Sequence, residues 1–177
     1  MKAAGSDNWL DLRERYNLLQ TNSRNDIMPS GGVDMDFTGA SGAISRGDKG
    51  RMDAHAKLFY DEIRTRIGDV EAIAQNTGFP VADVQKAKEH VFINRYMLED
   101  LEPERFAPDY DMAVSWQRLI EGKNIQEMDI VMLKHEIMEY SLMNDQDVPY
   151  SDAHKIATEQ YNYIKYIIDL DRKEGVK

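Results

Sequence analysis

The chain has no cysteine among its 177 residues. That excludes disulfides, thiolate zinc sites and cysteine nucleophiles, and leaves the compartment open. Long apolar runs are also missing. None approaches the ~18 residues of a membrane-spanning helix, and no basic leader followed by an apolar stretch opens the chain. The chain is therefore expected to be soluble, with no membrane partner. It would be cytoplasmic in the cell that makes it unless exported within a longer polypeptide. A basic excess is lacking too: 22 Lys and Arg against 32 Asp and Glu leave a net charge of −10. Phosphate backbones are bound by clustered cations, so this balance argues against a nucleic-acid surface. It suits a small-molecule site, a basic protein partner or a metal. Alternating strand-like runs are absent as well.

Helical periodicity is what remains. Residues 7–20 read as a helix capped by Ser6 or Asp7, with Trp9, Leu12, Tyr16 and Leu19 at 3-4-3 spacing. Six of the eleven glycines then fall between Gly31 and Gly50, which marks residues 22–48 as a Gly/Ser-rich linker. An N-terminal helical arm (1–21) followed by this linker suggests a piece of a larger protein, or an arm that docks on a protein partner. The third segment, 49–177, is expected to be a single all-α domain of six to seven helices. Its spacing predicts helices over about 48–67, 69–77, 80–90, 93–101, 110–121, 126–144 and 151–171. Pro80 suits a first helical turn, Asp109 a cap and Gly122 a terminus. Ser151 is expected to cap the last helix.

One run stands out: Leu133-Lys134-His135-Glu136-Ile137-Met138-Glu139-Tyr140. On a wheel of ~100° per residue, Ile130, Leu133, Ile137 and Tyr140 form one apolar face and Val131, Met138 and Leu142 a second. A helix apolar nearly all round is buried. His135 and Glu139, four apart, then lie side by side in low dielectric, where a carboxylate needs a partner. A metal is one such partner. His154, on the next helix, supplies a third ligand, and Glu136 stands where zincin helices keep a general base. Two imidazoles, one carboxylate and an open position suit zinc hydrolysis or non-haem iron, with zinc the best fit. Without metal, His135 or His154 can act as a base oriented by Glu136 or Glu139, with Arg118 or Arg105 holding an anionic substrate. A purely structural alternative makes the same residues a satisfied polar core.

His55 shares an apolar face with Met52 and Phe59 and is expected to point toward the same pocket. His90 reads as a helix-end cap, where the dipole favours a cation. Ala74, Gly78 and Val84 have helix-turn-helix spacing, with Gln85, Lys86 and Lys88 on the second helix. The acidic surround favours a plain helical hairpin over a DNA reader.

The elements Asn76-Thr77-Gly78-Phe79, Arg105-Phe106, Ser115-Trp116-Gln117-Arg118-Leu119, His135-Glu136, Ala153-His154 and Tyr161-Asn162-Tyr163, spread over roughly residues 40–165, resemble the helical C-terminal effector domains of phage minor head proteins and polymorphic toxins. The resemblance implies a toxin-like effector attached through a linker, with His55, Arg118, His135, Glu136, Glu139 and His154 as its site. The acidic charge sets the chain apart from nuclease toxins. A hydrolase with catalytic Glu136, His135, Arg118 and His55, and with His135, Glu139 and His154 on a metal, is the first expectation. A non-catalytic helical protein-binding module is the second.

Overall fold

A computed structural model describes residues 44–98 and 102–175. The expected N-terminal helix and most of the linker lie outside the described residues. From Arg46 onward the chain forms one compact, all-helical unit. Among the described residues there are seven α-helices and no strand. None of these helices is long and apolar enough to cross a membrane.

Helix α1 spans Lys49–Thr65 and starts where the Asp48 carboxylate accepts from the Arg51 N–H at 3.1 Å. It buries His55, Ala56, Phe59, Tyr60 and Ile63 at one-turn spacing. Helix α2 (Asp69–Thr77) is set off at each end by a left-handed glycine, Gly68 and Gly78. Helix α3 (Val81–Lys88) follows Pro80 directly and runs on into a π-helical turn, Glu89–Ile93.

The segment after it departs from expectation. Residues 94–98 are not helical. Asn94 is already extended, and Tyr96 pairs antiparallel with Glu104 through N–H···O bonds of 2.8 and 2.9 Å. Those bonds, made across eight residues and so outside any helical ladder, satisfy the backbone and override local helix propensity.

Helix α4 (Tyr110–Glu121) begins as expected, with the Asp109 carboxylate accepting from the Met112 N–H at 2.8 Å. It ends at Gly122, whose φ is 65°. A side chain there would also strike Asn76, 2.7 Å from an ideal Cβ. The Asn76 amide donates to the Leu119 and Ile120 carbonyls, both at 2.9 Å, and so ties α2 to the α4 terminus.

Helix α5 (Glu127–Tyr140) packs against α3, α4, α6 and α7, which makes it the central helix. A π-helical turn, Ser141–Asp145, extends it. The inward stripe of α5 is not the one expected. Met128, Asp129, Met132, Leu133, His135, Glu136 and Glu139 are buried, whereas Ile130, Val131, Ile137 and Met138 are only half-buried.

The expected single helix over 151–171 is two. Helix α6 (Tyr150–Gln160) follows Pro149, and α7 (Tyr163–Lys173) is capped by Asn162, which accepts from the Lys165 N–H at 3.0 Å. Ser151 does not cap. The break at Tyr161-Asn162 leaves the Tyr161 carbonyl outside any helical ladder. It also separates His154 and Ala157 from Ile164 and Ile168, which are exposed.

The core joins these helices around Trp116, Tyr60, Phe92, Ile63, Ile73, Leu119, Met132 and Leu133, all fully buried. Phe92 meets Tyr60 and Trp116 edge-on, at centroid distances of 4.6 and 5.1 Å. Each such side chain removed from water contributes about 1.5–3 kcal/mol, and this shell holds α5 and its polar residues in place.

Candidate functional site

The centre of the site is the carboxylate of Glu139. Two of its neighbours come from distant segments. His135, one turn earlier on α5, brings Nε2 to 3.0 Å from Oε2. His154 on α6 brings Nδ1 to 2.8 Å from the same oxygen. His90, in the π-helical turn after α3, places Nε2 3.1 Å from the other oxygen, Oε1. Three imidazoles thus converge on one carboxylate from three elements. His135, Glu139 and His154 each offer a ligand atom within 4.8 Å of the others, so this group could hold a metal ion.

Each buried imidazole is anchored from behind. His135 Nδ1 lies 3.0 Å from the Tyr161 carbonyl oxygen, the group freed by the α6–α7 break. A carbonyl only accepts, so Nδ1 carries hydrogen. With Nε2 also donating to a carboxylate, His135 is an imidazolium in this arrangement. Its pKa is correspondingly raised. Burial opposes its charge, but the hydrogen bond to Glu139 and the field of Glu136 outweigh burial. His90 Nδ1 lies 2.9 Å from the Tyr96 hydroxyl. That oxygen also accepts from the side-chain amides of Asn94 (3.1 Å) and Asn144 (3.2 Å). The hydrogen-bond network therefore assigns the phenolic hydrogen to His90 Nδ1 and leaves Nε2–H to donate to Glu139.

The two glutamates are driven apart. For Glu139, burial favours the neutral acid, but hydrogen bonds from His135, His154 and His90 overcome it and hold the pKa well below the usual carboxylate range. For Glu136, burial dominates and pushes the pKa up, against the opposing fields of His90 and His135. Glu136 belongs to the same cluster. It is buried, with Oε2 3.8 Å from His90 Nε2.

His154 opens the centre to solvent. Its side chain is 39% exposed, against 0% for His90 and 5% for His135. Its ring meets His135 edge-on at 5.2 Å and Tyr150 at 5.6 Å. Phe106 lies between Tyr150 and His90, with ring centroids 5.3 and 5.1 Å away. The irregular segment after the π-helical turn thereby walls one side of the site.

The other candidate residues lie elsewhere. His55 stacks on Phe59 at 5.8 Å and meets Tyr110 edge-on at 5.2 Å. Burial pushes its pKa down to about 4. Arg118 is held by the fully buried Asp129, with Nε at 2.8 Å from Oδ2, and by Ser115. Asp129 in turn accepts from the Gln126 N–H at 2.9 Å, so Arg118 closes the α4–α5 hairpin. Arg105 donates to the Ile93 carbonyl at 3.0 Å. The cations of the helix-turn-helix candidate are also engaged: Lys86 pairs with Asp145, and Lys88 is buried against Asp69.

His90 and Tyr96 are the residues that sequence reasoning left out of the site. A signal for His90 was present: Val84, Ala87 and Val91 form an inward stripe, and His90 stands three residues after Ala87. Tyr96 had none, because its place depends on the pairing with Glu104.

Among the described residues, the unit from Arg46 onward is thus an all-helical domain with a buried His/Glu centre at one end of its central helix. Comparison with protein-family models, with curated proteins and with solved structures returned no match.

Proposed function

We propose that the chain is a metal-dependent hydrolase of the toxin-like effector kind, with one divalent ion, zinc by donor chemistry, held by His135 Nε2, His154 Nδ1 and Glu139. The observation that carries this reading is the convergence of those atoms while the Tyr161 carbonyl grips the far nitrogen of His135. An imidazole held from behind by a carbonyl is the outer support that metal-binding histidines have. The distances fit. A tetrahedral zinc with bonds of ~2.0–2.1 Å sets its ligand atoms about 3.3 Å apart, so gaps of 2.8 and 3.0 Å need to widen by only a few tenths of an ångström. The proton on His135 Nε2 occupies the ion's direction in the metal-free centre, and metal entry displaces it.

Such an ion supplies Lewis acidity and lowers the pKa of water to about 7. Glu136, beside the centre with its pKa lifted by burial, is placed to take and return a proton. The half-exposed side of His154 is the route for water and substrate. The effector assignment rests on the sequence resemblance. Zinc titrated calorimetrically into chelator-treated protein is expected to bind, and the binding is expected to vanish in His135→Ala and His154→Ala. Toxicity on expression in bacteria is expected to be lost in the same variants. Zinc binding unchanged in both variants would sink the metal reading.

A second reading, a non-catalytic protein-binding module, draws on one feature. A groove of about 380 Å³ beside α7 is lined by Ile164, Ile168, Thr158 and Lys165. Its mark would be full biological effect in Glu136→Gln.

A further inference from the structure

The single-ion reading leaves His90 without a task and uses Glu136 only to carry a proton, a role it would exchange for that of a ligand if it bound metal. His90 is completely buried, and Glu136 almost so. Buried ionisable groups are costly and are retained when paired, metal-bound or used in chemistry. Both face the same side of Glu139. That carboxylate is divided: Oε2 takes His135 and His154, while Oε1 takes His90 alone, at 3.1 Å. His90 Nε2 is also 3.8 Å from Glu136 Oε2. The His90 ring is held from behind by the Tyr96 hydroxyl at 2.9 Å, in the opposite sense to His135: there the ring donates to a carbonyl, here the hydroxyl donates to the ring, and an ion on Nε2 would require that bond to reverse.

We infer that the centre is binuclear: a second divalent transition-metal ion sits between His90, Glu136 and Glu139, and the Glu139 carboxylate bridges the two ions. The inference rests on the metal reading of the first site. A bridging carboxylate presents one oxygen to each ion, which is the division Glu139 shows. Two ions bridged this way sit about 3.5–4 Å apart, the spacing of two-metal hydrolytic sites. The ligand sets differ in kind. The first ion has two imidazoles and one oxygen, and it lies toward the half-exposed His154. The second has one imidazole and two carboxylates in the interior, so it enters later and leaves more slowly. In the metal-free protein, the hydrogens on His135 Nε2 and His90 Nε2 lie toward Glu139; the first ion would displace the proton of the imidazolium His135, whereas at the neutral His90 the ring hydrogen would move from Nε2 to Nδ1 with no net proton released.

The test is stoichiometry in the full-length protein. Chelator-treated protein is loaded with zinc sulfate and desalted, and zinc per chain is measured by elemental analysis and by mass spectrometry under native conditions. Two ions per chain is the expected result. One ion overturns the binuclear centre and leaves the single-site reading standing; none overturns both. His90→Gln and Glu136→Gln, checked for native circular dichroism, are each expected to hold one ion. Two ions retained in both variants would also overturn the inference. Cobalt(II) gives a readout independent of folding in the variants. In the wild type, the second equivalent is expected to weaken the paramagnetic resonance of the first through coupling across Glu139. Simple addition of the two signals would count against the bridge.

Discussion

Two ionic clusters are buried in this domain, and they are built differently. In the first, Asp69 and Lys88 meet at 2.7 Å, Trp116 Nε1 donates to the second Asp69 oxygen at 3.2 Å, and Lys88 donates to the Arg66 carbonyl at 2.7 Å. One positive group faces one negative group, and both are out of water. In the second, three imidazoles crowd one carboxylate, a second carboxylate stands alongside, and one imidazole reaches solvent. The first is a closed pair that ties α2, α3 and α4. The second holds more hydrogen donors than a structural pair needs and keeps an open side. A structural ion pair is complete in itself, whereas a centre with surplus donors and an opening has room for something else.

The largest effect expected from breaking this contrast is on the closed pair. Asp69→Ala leaves the Lys88 ammonium buried without a counter-charge and is expected to cost about 3–5 kcal/mol in urea unfolding. Lys88→Met in the same chain should recover much of that loss. Metal uptake by the folded fraction should be unchanged.

Glu139→Gln should cost less stability, about 1–3 kcal/mol without metal, because it removes the charge and turns one of the two accepting oxygens into an NH2 that faces imidazole N–H groups, while the other oxygen still accepts. It should abolish zinc binding measured by calorimetry. A large stability loss in a protein that never bound metal would make the centre a structural cluster like the first.

The pH dependence of metal-free stability sharpens the contrast. His135 has a raised pKa, so its contribution is complete below the ordinary imidazole value of 6.5 and is lost as pH rises through the raised value. Glu139 has a lowered pKa. Its contribution is present above the ordinary carboxylate value of 4.5 and is lost as pH falls through the lowered one. His55, away from the centre, behaves oppositely to His135. The unfolded chain takes up a proton at 6.5 and the folded chain only at about 4, so stability falls as pH drops between those values. Urea midpoints across pH 4–9 should show His135→Asn closing its gap to the wild type above neutrality. His55→Phe should flatten the fall between 6.5 and 4.

The smallest stability effect belongs to His154→Ala, less than about 1 kcal/mol for a half-exposed side chain, together with at least a tenfold loss of zinc affinity. A stability loss as large as that of Glu139→Gln would place His154 among the structural residues.

Much of this was legible along the chain. Asp109 and Gly122 marked helix ends because capping chemistry is local, a matter of one side chain or one φ value near its own backbone. His135 and Glu139 were found because four-residue spacing on a helix puts side chains together wherever that helix lies, and His154 as the imidazole that the next helix offers. The wheel failed for the α5 faces because it ranks residues by apolarity. The core here takes in Asp129, Glu136 and Glu139, whose charges are met by Arg118 and the histidines of other elements. The non-helical course after Ile93 and the split at Tyr161-Asn162 were equally hidden. Each depends on a partner beyond the reach of a helical turn: Glu104, eight residues on, for Tyr96, and His135, 26 residues back, for the Tyr161 carbonyl.

The linear order of residues was enough to make the domain all-helical, to exclude sulfur chemistry and to put an imidazole and two carboxylates on one helix. Only the packed structure decided that His90 joins them, that His55 and Arg118 do not, and that Glu139 turns one oxygen toward each set of imidazoles. Helix formation and i,i+4 pairing are governed by near neighbours. Which buried charge meets which is settled by the contacts that remove both from water.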